Sequence, residues 1–362
     1  MSFPIQHIAF RIDASNQIGT GHFMRCLTLA DGLKKHGAHI RFVCRNLPEY
    51  LHKMLVEKGY EFLPLVSSQI DTPLDELAHA SWLGVTQEQD AIDSVQALSD
   101  WSWDWLIVDH YALDARWESK LRQIVKHILV IDDIADREHD CDILLDQNFY
   151  TDMQTRYIDK VPSHCRLLLG PHYALLRAEF RELHQQVKPR SGLVKHVLVF
   201  FGGIDSHNYT GRTIEALSEI EIPDLHVDVV IGSQHPYCEE VESVCKKHGF
   251  ILHVQTDKMA ELMASADYAI GAGGSATWER CCLGLPTLIL SLAYNQIEIA
   301  KGLDILGAGK YIDIQNNENS ADFPKIVFSV LRNNKQMKLF SEKAYSVVDG
   351  QGVDRLCEAM AC

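Results

Sequence analysis

The chain has 362 residues, which is enough for about two domains of average size. Its composition, 46% hydrophobic and 23% charged, excludes a globally disordered chain. Its 34 basic and 49 acidic residues give a net charge of −15, which argues against non-specific binding to nucleic acid or to an anionic membrane surface.

Short apolar runs alternate with helical segments through the first half of the chain. In the first helical segment, apolar residues recur at helical spacing. The runs predict strands at His7–Asp13, His39–Arg45, Glu61–Leu65, Asp104–Tyr111, His127–Asp133 and Arg166–Gly170. The segments between them predict helices at His22–His36, Pro48–Lys58 and Asp114–Lys126.

The second half repeats this alternation. It predicts strands at His196–Phe201, His226–Ile231, Phe250–Val254, Tyr268–Gly271, Thr287–Leu290 and Lys310–Ile314. It predicts helices at Tyr209–Ile220, Tyr237–His248, Lys258–Ser265, Ala276–Leu283, Glu298–Leu306, Lys335–Val348 and Gly352–Met360. Apolar strands separated by helices are typical of parallel sheets that are covered on both faces.

Twelve strands are too many for one open sheet, so the pattern predicts two doubly wound, Rossmann-like α/β domains. The polar run Gln185–Gly192 indicates the boundary between them. We expect an N-terminal domain over 1–188 and a C-terminal domain over 189–348. Residues 349–362 form a last helix, which either closes the second domain or crosses back to the first.

The sequence also predicts where the chain resides. The N-terminus has no basic start followed by an apolar run, as a secretory signal would. The most apolar stretch, Cys281–Tyr294, is too short to span a bilayer. Ten cysteines form no C-x-x-C pair, so zinc-ribbon and thioredoxin sites are excluded. We therefore expect a cytoplasmic chain with reduced thiols and no membrane partner.

The loop after the first predicted strand carries polar residues and glycines. It runs from Arg11 and Asp13 through Gly19 and Gly21 to His22. In a parallel sheet, this loop lies at the carboxyl edge, where ligands bind. The third glycine of a dinucleotide fingerprint is missing, so a nicotinamide cofactor is not expected. A helix N-terminus disfavours imidazolium, which makes His22 a candidate general base; a capping or surface histidine is the alternative.

A second polar segment, Asp109-His110-Tyr111, begins where an apolar strand stops. Its acidic and phenolic groups could orient a base or a sugar hydroxyl, or simply cap the strand. Asp132-Asp133 follows the next strand in the same way. The acidic and histidine residues near it fit no metal-ligand spacing, and no metal is expected.

The second half contains two further glycine turns, Gly202-Gly203 and Gly273-Gly274-Ser275. The latter leads from a strand into a helix, whose free N–H groups suit a pyrophosphate. Glu279, one turn into that helix, could accept hydrogen bonds from a ribose diol. The alternative is a tight turn that needs glycine for steric reasons. Asn295-Gln296 starts the next helix and could cap it or bind hydroxyl and acetamido groups.

The two-domain plan with its Gly-Gly-Ser-x-x-x-Glu turn resembles the GT-B glycosyltransferase superfamily. A more specific resemblance is to the UDP-2,4-diacetamido-2,4,6-trideoxy-β-L-altropyranose hydrolases of pseudaminic acid biosynthesis. It covers nearly the whole chain. The segments that carry it are Phe10–Ser15, Ile18–His22, Arg25-Cys26, Leu106–Tyr111, Ile131–Arg137, Asp146–Asn148, Gly170–Arg177 and Gly273–Ser275.

The resemblance implies two domains that face a central cleft, with inverting attack of water at the anomeric carbon and release of UDP. It implies His22 as the base, with Tyr111 and Asp109 lining the catalytic site. The predicted substrate-binding residues are Arg11, Asp13, Gly19, Gly21, Gly202, Gly203, Met259 near the uracil, Gly273, Gly274, Ser275, Glu279, and Asn295 and Gln296 facing the sugar. No cofactor or metal is implied, and the free sugar would serve surface polysaccharide synthesis and flagellin glycosylation.

Two other functions stay open at this point. A glycosyltransferase with a UDP-amino sugar donor would release little UDP without an acceptor. A non-catalytic nucleotide-sugar binding protein would bind UDP without turnover. A UDP-sugar 2-epimerase has the same fold, but no carboxylate set for work at C2 can be identified. The only partner expected is the UDP-sugar, and a monomer is compatible with the sequence.

Overall fold

A computed structural model describes residues 6–15, 17–66, 75–203, 205–220, 222–292, 294–314 and 322–361. These residues form two compact α/β units. Unit 1 comprises Met1–Asn148, Asp152–Leu175 and Gly352–Cys362, and unit 2 comprises Phe149–Thr151 and Leu176–Gln351.

Unit 1 is built on a sheet that is seven-stranded in the described residues, and every strand pair is parallel. The strands are β1 His7–Ile12, β2 His39–Cys44, β3 Glu61–Pro64, β4 Trp103–Asp109, β5 Val125–Ile131, β6 Ile143–Asp146 and β7 Arg166–Leu169. Its helices are α1 Gly21–Lys35, α2 Glu49–Glu57, α3 Gln87–Ala97 and α4 Ala115–Leu121, together with the last helix of the chain, Gly352–Met360.

Both faces of this sheet are covered by apolar side chains. Along β1, Ile8 and Phe10 belong to one buried cluster, whereas Ala9 between them belongs to another. Neighbouring residues of a strand point to opposite faces, so the two clusters lie on the two sides of the sheet. This explains why the strands are continuous apolar runs without polar alternation.

Unit 2 repeats the design with a sheet that is six-stranded in the described residues, again parallel throughout. Its strands are β8 His196–Phe200, β9 His226–Ile231, β10 Ile251–Val254, β11 Tyr268–Ala272, β12 Thr287–Leu290 and β13 Gly309–Ile312. Its helices are α5 Ala178–His184, α6 Tyr209–Ser218, α7 Cys238–His248, α8 Met259–Ser265, α9 Ala276–Cys282, α10 Tyr294–Leu306, α11 Phe323–Leu331 and α12 Asn334–Val347; the last helix in unit 1 is α13.

The strand orders fix where ligands can bind. They are β3-β2-β1-β4-β5-β6-β7 in unit 1 and β10-β9-β8-β11-β12-β13 in unit 2. In each sheet the order reverses once, between β1 and β4 and between β8 and β11. In doubly wound sheets the ligand crevice lies outside the carboxyl ends of the strands at this reversal. Each predicted catalytic or glycine-turn segment follows one of these four strands.

The secondary structure differs from the sequence prediction at four elements. Strand β6 and helices α3, α5 and α11 were not predicted. The short run Ile143–Asp146 pairs between β5 and β7, and its four residues carry too little pattern to separate it from a loop. Helix α3 is polar on average, so its buried Ala91 and Ser94 gave no clear apolar stripe.

The compact units divide at Leu175/Leu176, earlier than the boundary at 188 expected from the polar run. The reason is α5, which belongs to unit 2. Phe180 of α5 is fully buried there, and the Tyr345 hydroxyl donates a hydrogen bond to the His184 carbonyl oxygen at 2.9 Å. Helix α13 lies in unit 1, where Val353 packs closely against Gly32 of α1.

In the described part of the chain, we find no helix with the length and apolar character needed to cross a bilayer.

Candidate active site

A histidine–aspartate pair lies at the strand-order reversal of unit 1. His22 is the second residue of α1, and Asp109 is the last residue of the neighbouring strand β4. The sheet and the first turn of α1 thereby bring His22 Nδ1 to 2.5 Å from Asp109 Oδ1. The Asp109 side chain is completely buried, whereas that of His22 keeps 11% exposure.

Arg25, one helical turn after His22, holds the same carboxylate. Its Nε donates to Asp109 Oδ2 at 2.6 Å, and its Nη2 donates to Oδ1 at 2.7 Å. Burial alone would raise the pKa of Asp109, but the charges and hydrogen bonds of Arg25 and His22 outweigh burial and lower that pKa below its ordinary value. Asp109 is therefore ionised over the whole range in which an enzyme is assayed.

The ionised carboxylate selects one tautomer of His22. A carboxylate only accepts hydrogen bonds, so the proton of a neutral His22 ring lies on Nδ1 and points at Asp109. The lone pair is then on Nε2, on the opposite edge of the ring. This arrangement gives a histidine that can take a proton from another molecule while its orientation stays fixed.

Tyr111 packs against the same histidine. The two ring centroids lie 4.6 Å apart with an interplanar angle of 79°, an edge-to-face contact. The Tyr111 hydroxyl donates to Asp133, and Arg25 Nη1 donates to the other Asp133 oxygen at 2.8 Å. Burial and the Asp133 charge raise the pKa of Tyr111 well above its usual value, so its hydroxyl is a donor and not a base. We assign Tyr111 to positioning His22.

Arg11 and Asp13 lie in a different, fully buried network. Arg11 donates to Asp13 at 2.8 Å and to Asp90 at 2.7 Å, and its side chain is 1% exposed. Asp13 also accepts from the backbone nitrogens of Arg45 and Asn46. Arg11 and Asp13 were expected to bind substrate. Their side chains are buried and bond to one another, which does not fit that expectation. They fix the end of β1 instead.

Gly19 and Gly21 lie in the turn between β1 and α1. Gly19 has φ of +80°, and its nitrogen donates to the Ser15 carbonyl oxygen at 2.8 Å, which closes the turn. A Cβ atom at Gly21 would meet no atom within 4 Å. The described residues around Gly21 therefore do not require a glycine, and the open space beside it stays compatible with a bound ligand.

The glycine turn of unit 2 follows β11 at the second strand-order reversal. Gly274 has φ of +116°, a conformation that other residues rarely adopt. A Cβ at Gly273 would come 3.2 Å from the Cβ and the carbonyl oxygen of Gln296. Glycine is therefore needed here partly for steric reasons, which is the alternative to a pyrophosphate site that the sequence left open. Ser275 follows the two glycines and is exposed, with helical φ and ψ at the start of α9.

The other predicted residues of unit 2 occupy different settings. Gly202 and Gly203 follow β8, the strand beside β11. The Gln296 side-chain oxygen accepts a hydrogen bond from the Leu292 backbone nitrogen at 2.9 Å. This bond links the first turn of α10 to Leu292. Met259 begins α8 and is buried. The side chain of Asn295 lies outside the described residues.

Glu279 lies in α9, one turn after Ser275. Its Oε1 is 3.9 Å from Arg177 Nη2, a loose ion pair, and its side chain is 21% exposed. Burial raises the pKa of Glu279, although Arg177 and Arg280 act in the opposite direction. Among the described residues, no closer side-chain partner contacts the Glu279 carboxylate, so its oxygen atoms can accept hydrogen bonds from a ligand.

Arg25 and Asp133 are the two site residues to which the sequence reasoning gave no role. The signal for Arg25 was its spacing, since a residue three positions after His22 lies on the same helix face. Asp133 is the second residue after β5, the strand next to β4, so it lies at the same sheet edge as Asp109, and Arg25 donates to both carboxylates. Both would be found by listing every charged residue at the ends of adjacent parallel strands.

The chain has relatives among known proteins. No protein-family model matches the chain. It is 28% identical over 302 residues to the UDP-2,4-diacetamido-2,4,6-trideoxy-beta-L-altropyranose hydrolase of Campylobacter jejuni, covering 82% of this chain and 95% of that protein. It is 24% identical over 358 residues to the spore coat polysaccharide biosynthesis protein SpsG of Bacillus subtilis, covering 97% and 96%.

The family resemblance inferred from the motifs is thereby confirmed. The chain is also 24% identical to the uncharacterized protein MJ1062 of Methanocaldococcus jannaschii, over 78% of its own length, but it spans only 55% of that relative.

Solved structures confirm the predicted fold class of two parallel-sheet α/β domains of the GT-B type. Acinetobacter baumannii MurG aligns with a TM-score of 0.67 at 14% identity, over 99% of both chains. Phytolacca americana UGT2, solved with UDP-2fluoro-glucose and pterostilbene, aligns with a TM-score of 0.68 at 12% identity, over the full length of both chains. At these identities the similarity establishes the fold alone.

Proposed function

We propose that this protein hydrolyses UDP-2,4-diacetamido-2,4,6-trideoxy-β-L-altropyranose to UDP and the free sugar, as an enzyme of nucleotide-sugar metabolism. The observation that carries the proposal is the buried Asp109 carboxylate. Arg25 holds it, and it fixes His22 through Nδ1, which leaves Nε2 without a hydrogen-bond partner among the described residues. The homologous hydrolase supports the choice of substrate.

In this mechanism, His22 Nε2 removes a proton from water as the water oxygen attacks the anomeric carbon. The bond between that carbon and the UDP oxygen breaks, and its electron pair leaves with UDP. Attack opposite to the leaving group inverts the anomeric configuration. Asp109 stabilises the imidazolium that forms, while Tyr111 and Arg25 keep the ring and the carboxylate in place.

In this proposal, unit 2 binds the nucleotide. The turn Gly273–Ser275 would hold the pyrophosphate through backbone N–H groups, and Glu279 would accept hydrogen bonds from the ribose hydroxyls. Gly202-Gly203, Met259, Asn295 and Gln296 are proposed to complete the nucleotide and sugar contacts. No step in this scheme needs a cofactor.

Hydrolysis is tested by incubating the protein with the UDP-sugar in ¹⁸O-labelled water without an acceptor. The masses of the products are then measured by mass spectrometry. Label in the free sugar and none in UDP is expected, because water attacks carbon. Label in UDP would mean attack at phosphorus and would refute the His22 mechanism. Bound substrate with no UDP release would favour a glycosyltransferase or a binding protein.

The role of His22 is tested by replacing it with alanine. Loss of a general base lowers kcat by roughly 10²–10⁴-fold, with little change in UDP affinity. The matched control is His52→Ala, since His52 is a partly exposed histidine of α2 whose ion-pair partner, Glu49, lies 3.8 Å away. If His22→Ala behaves like His52→Ala in kcat, His22 is not the base.

A further inference from the structure

Three histidines and one aspartate converge on unit 2, away from its glycine turns. They are His196 at the start of β8, His226 and Asp228 at the start of β9, and His253 in β10. The registers put them on one face of the sheet, because His196 pairs with His226 and Asp228 pairs with Ile251, two residues before His253.

The ring nitrogens of all three histidines point at one carboxylate. His196 Nε2 lies 2.6 Å and His226 Nε2 lies 3.4 Å from the same atom, Asp228 Oδ2. His253 Nε2 lies 2.7 Å from the other oxygen, Oδ1. The Asp228 side chain is only 5% exposed, whereas His226 is 45% exposed and leaves a way in from solvent.

A neighbouring contact limits how His196 can bind this carboxylate. His196 Nδ1 lies 3.2 Å from the Ser265 carbonyl oxygen, which can only accept, so Nδ1 carries a hydrogen. In a neutral ring, Nε2 then has a lone pair and no hydrogen, and it faces a carboxylate oxygen at 2.6 Å. Two electron-rich atoms at that distance repel one another, so the contact is held either by a second proton on the ring or, once the two side chains move slightly apart, by a metal ion.

Three of these groups also lie close enough together to share one metal ion. The candidate ligand atoms of His196, His226 and Asp228 all lie within 4.8 Å of one another. With metal–ligand distances of about 2.0–2.2 Å, neighbouring ligand atoms of a tetrahedral zinc site are roughly 3.3 Å apart. The His226–Asp228 distance of 3.4 Å matches this value, whereas the His196–Asp228 distance of 2.6 Å is shorter and must lengthen by about 0.7 Å when an ion binds.

We propose that His196, His226 and Asp228 form a binding site for a divalent transition-metal ion of the zinc type. Imidazole and carboxylate groups suit such ions, and the fourth position would be water. The outer contacts are those that metal ligands normally have: the Ser265 carbonyl fixes the His196 ring, and His253 holds the free oxygen of Asp228.

The site has a structural role in unit 2 and takes no part in catalysis. His196 and His226 begin their strands, whereas Gly202-Gly203 and Gly273–Ser275 follow the ends of theirs. The two sets therefore lie at opposite edges of the same parallel sheet. A metal at the amino edge would tie β8 to β9 without reaching a ligand at the carboxyl edge.

The test is a calorimetric titration of the EDTA-treated full-length chain with Zn²⁺ alone. We expect one bound ion per chain, an affinity at least about tenfold weaker in His226→Gln and in Asp228→Asn, and no change in the control His248→Gln. His226 is half exposed and His248 is an exposed residue at the end of α7, so both variants should fold, which circular dichroism checks.

Cobalt separates this site from the cysteines. A site of imidazole and carboxylate ligands gives visible Co²⁺ bands without the charge-transfer absorption of thiolate ligands. The proposal is overturned if no zinc binds, if His226→Gln binds as tightly as the unaltered chain, or if Co²⁺ shows thiolate absorption. The first of these results would identify the His196–Asp228 contact as an imidazolium–carboxylate ion pair.

Discussion

Replacing Asp109 with asparagine tests the catalytic arrangement most directly. Asp109 Oδ1 is shared by His22 Nδ1 and Arg25 Nη2, and Oδ2 accepts from Arg25 Nε. An asparagine has one oxygen for these three donors. If its amide nitrogen faces His22, the ring must accept at Nδ1, so its proton moves to Nε2 and the base is lost. If the nitrogen takes the place of Oδ2 instead, Arg25 Nε loses its acceptor and faces another donor, while Arg25 Nη2 still donates to the remaining oxygen.

The expected loss follows from this choice of orientation. In hydrolases where a buried aspartate orients a histidine base, the change to asparagine costs about 10⁴ in kcat, because the wrong tautomer is stabilised. Here one of the two amide orientations preserves the tautomer, at the cost of a donor–donor contact with Arg25. We therefore expect kcat to fall by about 10³-fold, which corresponds to about 4 kcal/mol in the activation barrier.

The assay is initial-rate UDP release from the UDP-sugar, with urea unfolding measured on the same samples. Asp133→Asn is the matched control, because Asp133 is also an acceptor for Arg25, whereas the carboxylate that holds His22 Nδ1 is that of Asp109. Asp133→Asn should lower the free energy of unfolding about as much as Asp109→Asn does, but it should lower kcat much less. The tautomer argument is refuted if Asp109→Asn keeps nearly full kcat, or if both variants lose the same activity.

Two further predictions follow from the buried carboxyl groups. Glu279→Gln should weaken UDP binding, as measured by calorimetry. Burial raises the pKa of Glu279, so the unaltered protein should lose UDP affinity as the pH falls through that pKa. The UDP affinity of the variant should not change in this way. Equal UDP affinity in both proteins would remove Glu279 from the ribose site. Asp13→Asn should lower the free energy of unfolding by about 3–5 kcal/mol, because Arg11 loses a buried partner. Burial would raise the pKa of Asp13, but Arg11 and His110 hold it below the ordinary value, so this stabilisation is present above the unfolded-state pKa and is lost as the pH falls. A urea midpoint that does not move would contradict this assignment.

The fold was predictable because strand periodicity and spacing carry most of its information. Strands β1, β4, β8 and β11 are apolar runs that end in polar or glycine residues, and these four define the two strand-order reversals. The position of α5 was harder to predict. Its assignment depends on contacts of Phe180 and His184 with residues about 100 or more positions away, and a local polar run does not reveal them.

The candidate site was only partly predictable, for a related reason. His22 and Asp109 were identified because each occupies the end of a strand or the start of a helix. Arg11 and Asp13 occupy the same kind of position, yet the structure turns them into the sheet edge toward Asp90 and Arg45. Whether a polar residue at a strand end faces a ligand or another side chain depends on α3, the helix that supplies Asp90. That helix had no clear pattern in the sequence.

The two charged networks of unit 1 are best understood together. Buried ion pairs add little net stability, and apolar residues of the same size would often serve the fold as well. What the charges supply is a fixed arrangement: Asp90 and Asp13 hold Arg11 at the end of β1, and Arg25 holds Asp109 at the end of β4, the adjacent strand. Donors and acceptors that are already in place need no reorganisation when a proton moves. An apolar replacement could match the stability of this edge, but it would leave His22 without the acceptor that selects its tautomer.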